Sequence, residues 1–431
     1  MTLLELNYSV DLLAHYQKLS TLPGFVLLES SDKVAGRYDI VSACPYLLRN
    51  SGKDIFQELQ ALPGSEQSSL DLPFQGGAIG YFSYDLGANL AGVDSSAQTT
   101  LHHLPLFEVG LYDWALIADH HLKKVTLFAA NTQPETAGIV EEVLSLWNTR
   151  TANNPSFVLQ TPFKPLISKA DYKTAFDAIY QDLLRGRSYQ VNYTQPFNAH
   201  YRGDAFAMYC QIRAKNPVPF SAFLGSTAAS ILSFSPERFL LMDKGTVLTS
   251  PIKGTAGRAA CPFEDARLRS NLLNCAKNKA ENVMIVDLLR NDLGKIAKPG
   301  SVVVEGLCEV ESYQAVHHLV SHIKAQCQER LSPVEVFAAC FPGGSITGAP
   351  KRETMHLIAE QEPFARGVYC GSIGYFSRHG RSETNIAIRT ITACEETLHL
   401  GAGGGIIIDS NWEAEYLECF TKIAAIVNGL S

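Results

Sequence analysis

Four glycines in five residues, Gly401-Ala402-Gly403-Gly404-Gly405, run directly into Ile406-Ile407-Ile408. A dinucleotide fingerprint needs its glycines to open a helix, whose first amides hold a pyrophosphate. Three successive β-branched residues extend a strand instead. The fingerprint therefore fails its context. Glycines in a strand let backbone amides come close to a bound molecule, and that is the reading kept here.

The remaining elements fit the same kind of sheet. Phe25 to Ser30, Gly76 to Phe82 and Ala115 to Ala118 are short β-like runs within residues 1–150. Residues 150–165 are polar and proline-bearing and look like a connector to a second region, 166–431. There, Ser168 and Asp171 start a helical pattern that reaches Leu184, and Lys277 to Leu289 is a second one, stopped near Gly294. Val316 to Ala325 suits a strand or a buried helix equally. Val368 to Phe376 and Asn385 to Thr390 alternate as strands. Ser410 and Glu413 read as the capping box of a last helix with apolar positions recurring to Val427. The expectation is an α+β protein with large mixed, mostly antiparallel sheets.

Composition narrows the function classes. The chain has 431 residues, 46% hydrophobic and 18% charged, enough for two domains or one elaborate core. Its net charge is −7 with no basic block, which argues against a nucleic-acid surface. No uncharged run is long enough to span a bilayer, and Glu5 and Asp11 spoil the N-terminal apolar stretch as a signal peptide. Ten cysteines form no CxxC pair and no zinc spacing, so a reduced, cytoplasmic setting is expected.

Three constellations carry chemistry. Lys253, in Pro-Ile-Lys-Gly-Thr, and Glu237, in Ser-Pro-Glu-Arg-Phe, each lie at the end of a strand-like run. An amine and a carboxyl group at neighbouring strand ends can serve as nucleophile and proton donor, or remain a solvated lysine and a surface acid. Glu415, Glu418 and Lys422 share one helix face, and with Glu281 they suit either a hard divalent cation or ordinary ion pairs. Gly343 to Lys351 opens a helix but lacks the lysine-hydroxyl step of a phosphate loop, leaving a carboxylate site or a packing role.

Taken together, these segments resemble the chorismate-utilising enzymes over most of residues 166–431. The resemblance rests on residues 235–239, 251–255, 280–288, 343–351, 369–375, the glycine cluster and 413–418. It implies a sandwich core of large sheets with helices outside, shared by residues 1–150 and 166–431. It implies Mg²⁺ on Glu281, Glu415 and Glu418, and chorismate held by Gly254, Thr255, His318, Thr347, Tyr369, Arg389, Gly403, Gly404, Gly405 and Lys422. Water-adding members carry a lysine base where this chain has Gln190. Anthranilate-forming members usually carry alanine where it has Lys253. Those two positions imply the aminodeoxychorismate-forming branch, serving para-aminobenzoate and folate synthesis, with Lys253 as nucleophile and Glu237 as acid. No Gly-x-Cys-x-Gly elbow occurs, so the ammonia is expected from a separate glutaminase subunit. Leu28, Glu29 and Ser30 with Pro219, Phe220 and Ser221 resemble the two walls of a tryptophan pocket, and suit a plain strand and turn as well. The competing readings are an anthranilate synthase large subunit and an idle, tryptophan-binding regulatory subunit.

Overall fold

The computed structural model describes residues 1–9, 11–32, 36–52, 54–61, 70–93, 100–101, 103–149, 155–226 and 228–430. Residues 150–154 of the expected connector lie outside this set; beyond them the chain forms the short strands Phe157–Leu159 and Lys164–Pro165.

Two large sheets, of 13 and 10 strands, make up the core, and every pairing among the described residues is antiparallel. Both sheets take strands from both ends of the sequence. In the first, Val26–Glu29 pairs with Phe220–Gly225, and Thr397–Ile406 pairs with Gln190–Gly203. In the second, Gly77–Phe82 pairs with Ser372–Ser377. The described strands of residues 1–150 therefore all belong to sheets shared with the rest of the chain.

The central strands are buried on both faces. Val26, Ile40, Ile117 and Phe128 meet Ile79, Tyr81, Ile373 and Tyr375 between the sheets. Their neighbours Leu27, Val41, Leu116 and Leu127 face outward, under helices that contribute Tyr16, Trp147, Tyr209 and Ile426. Period-two alternation thus places apolar groups on both sides, which is why runs such as Ala115-Leu116-Ile117-Ala118 read as continuously hydrophobic. No helix among the described residues is long and apolar enough to cross a membrane.

Several boundaries differ from expectation for local reasons. Val316–Gln326 is a strand, held on one side by Thr246–Ser250 and on the other by Val303–Ser312. The run from Val368 starts as a turn with Cys370 at φ 64°, and the strand begins only at Ser372. The expected strand Asn385 to Thr390 breaks: Ser382–Asn385 belongs to the second sheet and Thr390–Cys394 to the first. Between them the chain crosses from sheet to sheet and turns at Arg389, whose φ is 52°. Residues 235–238 cross beside it, and the two crossings bind each other: Ile386 N–H donates to Glu237 O, and Phe234 N–H to Arg389 O. Apolar alternation continues through both crossings because the core surrounds them, so the pattern alone conceals the bends. The last helix, Trp412–Gly429, is capped by Asn411, which accepts from the amides of Glu413 and Ala414. Ser410 is not the cap; its hydroxyl donates to Glu415 at 2.7 Å.

Candidate active site

Where the two sheets exchange strands, a cavity of about 580 Å³ opens. Its wall gathers residues far apart in the chain: Glu237, Lys253, Gly254, Thr255, Glu281, His318, Tyr369, Arg389, Gly403, Gly405, Glu418 and Lys422.

Lys253 is aimed by a β-bulge. Ile252 pairs with Val320 and Thr255 with His318, so Lys253 and Gly254 together oppose the single residue Leu319. Gly254 sits at φ 94°, and a Cβ there would lie 2.7 Å from the Asn278 amide nitrogen. Only glycine fits both the dihedral and the space. Burial lowers the Lys253 pKa, and Lys422 adds to this against the opposing charges of Glu281, Glu237 and Glu418. The neutral amine gains accordingly.

Glu237, on the first crossing, is 5% exposed. Burial pushes its carboxyl up from the ordinary 4.5 to about 7, even though the Ser345 hydroxyl, the Lys253 charge and the Ile252 amide all favour the ionised form. Desolvation thus moves the acid up and the amine down, which brings a proton donor and a nucleophile into range together.

The rest of the cavity is built to receive an anion. Arg389 is positioned by its left-handed backbone on the second crossing, and its guanidinium has no hydrogen bond or ion pair among the described residues. A buried, unpartnered guanidinium is a fork waiting for a carboxylate. His318 is held neutral: burial and then the Arg389 charge lower its pKa to about 3, and its Nδ1 lies 2.9 Å from the Thr255 hydroxyl. Gly401 takes the ring of Tyr369, where a Cβ would lie 2.2 Å from that ring. Lys422 donates to Gly403 O at 2.7 Å and pairs with Glu418 at 2.6 Å, tying the glycine strand to the last helix.

Three expected residues stand off the cavity wall. Thr347 is fully buried, and its hydroxyl donates to the carbonyls of Gly343 and Gly344, so it shapes its loop rather than facing the cavity. Gly404 points away, toward the last helix. Glu415 lies behind Gly404 and accepts from Ser410. The 343–351 loop has a packing role around Lys351, whose ammonium binds Asp292 and the carbonyls of Cys340 and Pro342. Its chemical contribution is Ser345, which the sequence reading missed. Asn192, Lys277 and Asn278 also line the cavity and were missed. Gln190 packs against Gly405, and its side-chain amide is buried without a partner among the described residues.

The glutamates expected to hold a cation have donor chemistry that fits one. A Cβ on Gly404 would lie 2.8 Å from a Glu415 oxygen and 3.4 Å from a Glu418 oxygen, so both carboxylates turn to one point. Burial raises the Glu415 pKa and the Glu418 charge adds to it, a repulsion that a cation relieves. Burial works the same way on Glu418, but Lys422, Lys277 and Lys253 outweigh it and hold its pKa below the ordinary value. Glu281 is 3.9 Å from Lys277. Among the described residues no three acidic, His or Cys groups stand close enough to hold an ion together.

A second cavity, of about 260 Å³, brings together Leu28, Glu29, Ser30, Pro219, Phe220 and Ser221. The Glu29 carboxylate is already taken: Arg213 binds it at 2.8 Å and the Tyr209 hydroxyl at 2.6 Å. Among the described residues the Tyr38 hydroxyl is buried there without a hydrogen-bond partner, while Tyr375 and Arg381 bond each other.

A profile of the chorismate binding enzymes matches residues 26–428. The chain is 39% identical over 454 residues to aminodeoxychorismate synthase component 1 of Salmonella typhimurium, covering 100% of this chain and 98% of that one. It is 41% identical over 438 residues to the Escherichia coli protein of the same name, covering 96% and 95%. Among solved structures, anthranilate synthase component I from Streptococcus pneumoniae superposes with a TM-score of 0.82 at 28% identity, over 91% of this chain and 92% of that one. The menaquinone-specific isochorismate synthase of Escherichia coli shares the fold, with a TM-score of 0.79 at 18% identity over 100% and 94%.

Proposed function

This chain belongs to the chorismate-binding enzyme family, and from that premise we propose that it is the synthase component that makes 4-amino-4-deoxychorismate from chorismate and ammonia. The carrying observation is the Lys253–Glu237 pair: one desolvated wall lowers the amine's pKa and raises the acid's.

Lys253 Nζ attacks C2 of chorismate, both ring double bonds shift along the ring, and the C4 hydroxyl leaves as water with the proton of Glu237. Ammonia then attacks C4, the electrons return, Nζ is expelled, and Glu237 takes back a proton from the new ammonium. Arg389 and Lys422 orient the two carboxylates of the substrate, and neutral His318 with Thr255 lines the ring. Glu281, Glu415 and Glu418 would hold Mg²⁺, which when bound supplies charge neutralisation for the substrate carboxylates. The relatives' designation as component 1 supports a second component, for which a glutaminase is our reading. The cavity behind Leu28 and Phe220 takes L-tryptophan in the same reading. The setting is the cytoplasm and the product feeds para-aminobenzoate and folate synthesis.

The test is incubation with chorismate, Mg²⁺ and ammonium, with the product identified by mass. A non-fluorescent product retaining the enolpyruvyl group supports the proposal; fluorescent anthranilate would assign the chain to the anthranilate-forming branch of the family, and no turnover would leave only a binding role. Lys253→Ala is expected to lower the rate by about two orders of magnitude, the scale of losing a key catalytic group. Full turnover by that variant would rule out an obligatory covalent step.

A further inference from the structure

Asn192 lines the substrate cavity, 7% exposed, and takes no part in the chemistry of Lys253 and Glu237. It lies on Gln190–Gly203 opposite Gly405, so no side chain from that neighbouring position covers it. The backbone around it is clamped. Its N–H donates to Thr347 O at 2.8 Å, and its carbonyl accepts from the Arg366 guanidinium at 2.6 Å. Arg366 is itself held by a two-pronged pair with Glu362, both side chains fully buried.

The side-chain amide is fixed as well. Its nitrogen donates to Ile346 O at 3.1 Å, and Arg366 donates to the same carbonyl at 3.0 Å. A carbonyl only accepts, so the nitrogen of the amide must be the end that faces it. The other end, Oδ1, then has no donor among the described residues, although it is not sealed inside the protein. The space on which it opens is the substrate cavity. Ile346 follows Ser345, whose hydroxyl bonds Glu237, so one loop holds both this amide and the acid that acts at C4.

The other polar groups of the wall explain what such an acceptor is for. Lys253, Lys277, Lys422 and Arg389 suit the substrate's carboxylates. Glu237, Glu281 and Glu418 accept, but a carboxylate favours ammonium over ammonia, and ammonium has spent its lone pair on a fourth proton. An uncharged amide oxygen accepts from an N–H of neutral ammonia and leaves the lone pair free to attack. Asn278 also lines the wall, but its amide packs against Gly254, on the side of the nucleophile.

We propose that Asn192 Oδ1 is the seat of the incoming ammonia: it accepts one N–H and holds the nitrogen toward C4, beside Glu237. This rests on the amination proposed above, and the seating itself makes and breaks no covalent bond.

The full chain is assayed at saturating chorismate with Mg²⁺ and varied ammonium, and chorismate binding is measured separately by calorimetry without ammonium. Asn192→Leu removes the acceptor at nearly unchanged volume, and Asn192→Val does so with a side chain suited to a strand. In either variant the KM for ammonium should rise roughly 3- to 10-fold, the scale of one uncharged hydrogen bond, while the Kd for chorismate stays within about twofold. An amide that only braces the 343–349 loop predicts the opposite split: kcat or chorismate affinity falls and the ammonium KM stays. That result would overturn the proposal. In the wild type, the KM written as free ammonia should be equal at two pH values one unit apart above neutrality. A KM equal instead as total ammonium would show that the cation is the species held, and would overturn the proposal even where neither variant folds. A wild type that forms no aminated product sinks the reaction assignment and this inference with it; aminated product with an unchanged ammonium KM in the variants sinks the inference alone.

Discussion

Glu237→Gln should make the enzyme nearly inactive and more stable at once. The native carboxyl keeps its proton to about pH 7, whereas in the unfolded chain it loses it near 4.5. Between those values the native state binds more protons, so the stability contributed at this position falls as pH rises and then levels off. At 1.36 kcal/mol per pH unit the full cost above pH 7 is about 3 kcal/mol. It is under about 1 kcal/mol at pH 5, only about half a unit above the unfolded-state value. Glutamine keeps an acceptor for the Ser345 hydroxyl and the Ile252 amide but carries no charge to desolvate. Its unfolding free energy should therefore exceed that of the parent by up to about 3 kcal/mol at pH 8 and by little at pH 5, in urea titrations at both pH values. Turnover, which in the proposed mechanism needs the proton, should fall by about two orders of magnitude. A variant equally stable at both pH values, or destabilised at pH 8, would refute the claim that burial holds this acid protonated.

Ser345→Ala removes a donor that favours ionised Glu237, so the alkaline limb of the rate profile, at constant free ammonia, should move up by about one pH unit; a downward move would contradict the assigned contact. Gly254→Ala places a methyl against Asn278 at a positive φ and should cost about 2 kcal/mol or more of stability together with most of the activity, read by urea unfolding and turnover. Arg389→Ala should raise the KM for chorismate by roughly 10- to 100-fold, as loss of a charge-assisted contact implies, with kcat affected less. Glu29→Gln leaves Arg213 buried against a neutral partner and should destabilise the fold by about 3 kcal/mol without changing the pH profile of turnover.

Lys253, Glu237, Arg389 and His318, each singled out in a short segment whose residue types make sense only together, all reach the cavity wall. Ser345 was not singled out, although its loop was. A serine in a glycine-rich loop has no periodic signature, and its partner Glu237 is over a hundred positions away. Thr347 was misplaced for the converse reason: two neighbouring hydroxyls in one loop cannot be told apart by spacing, and the backbone gives Thr347 to Gly343 and Gly344. The break at Arg389 escaped because a strand buried on both faces and a buried crossing have the same apolar pattern.

Those crossings explain why the active groups are found where they are. A strand that stays in one sheet spends its amides on its neighbours. A segment that leaves one sheet for the other must bond elsewhere, and residues 235–238 and 385–390 bond each other. The exchange fixes Glu237 and Arg389 on backbone that is rigid yet outside both ladders, while the bulge at Lys253 and Gly254 frees one side chain from the edge of the second sheet. Antiparallel sheets of this size would otherwise close over their own core. The cavity exists because the chain changes sheets twice at the same place, and desolvation by the surrounding core then shifts the amine and the acid in opposite directions.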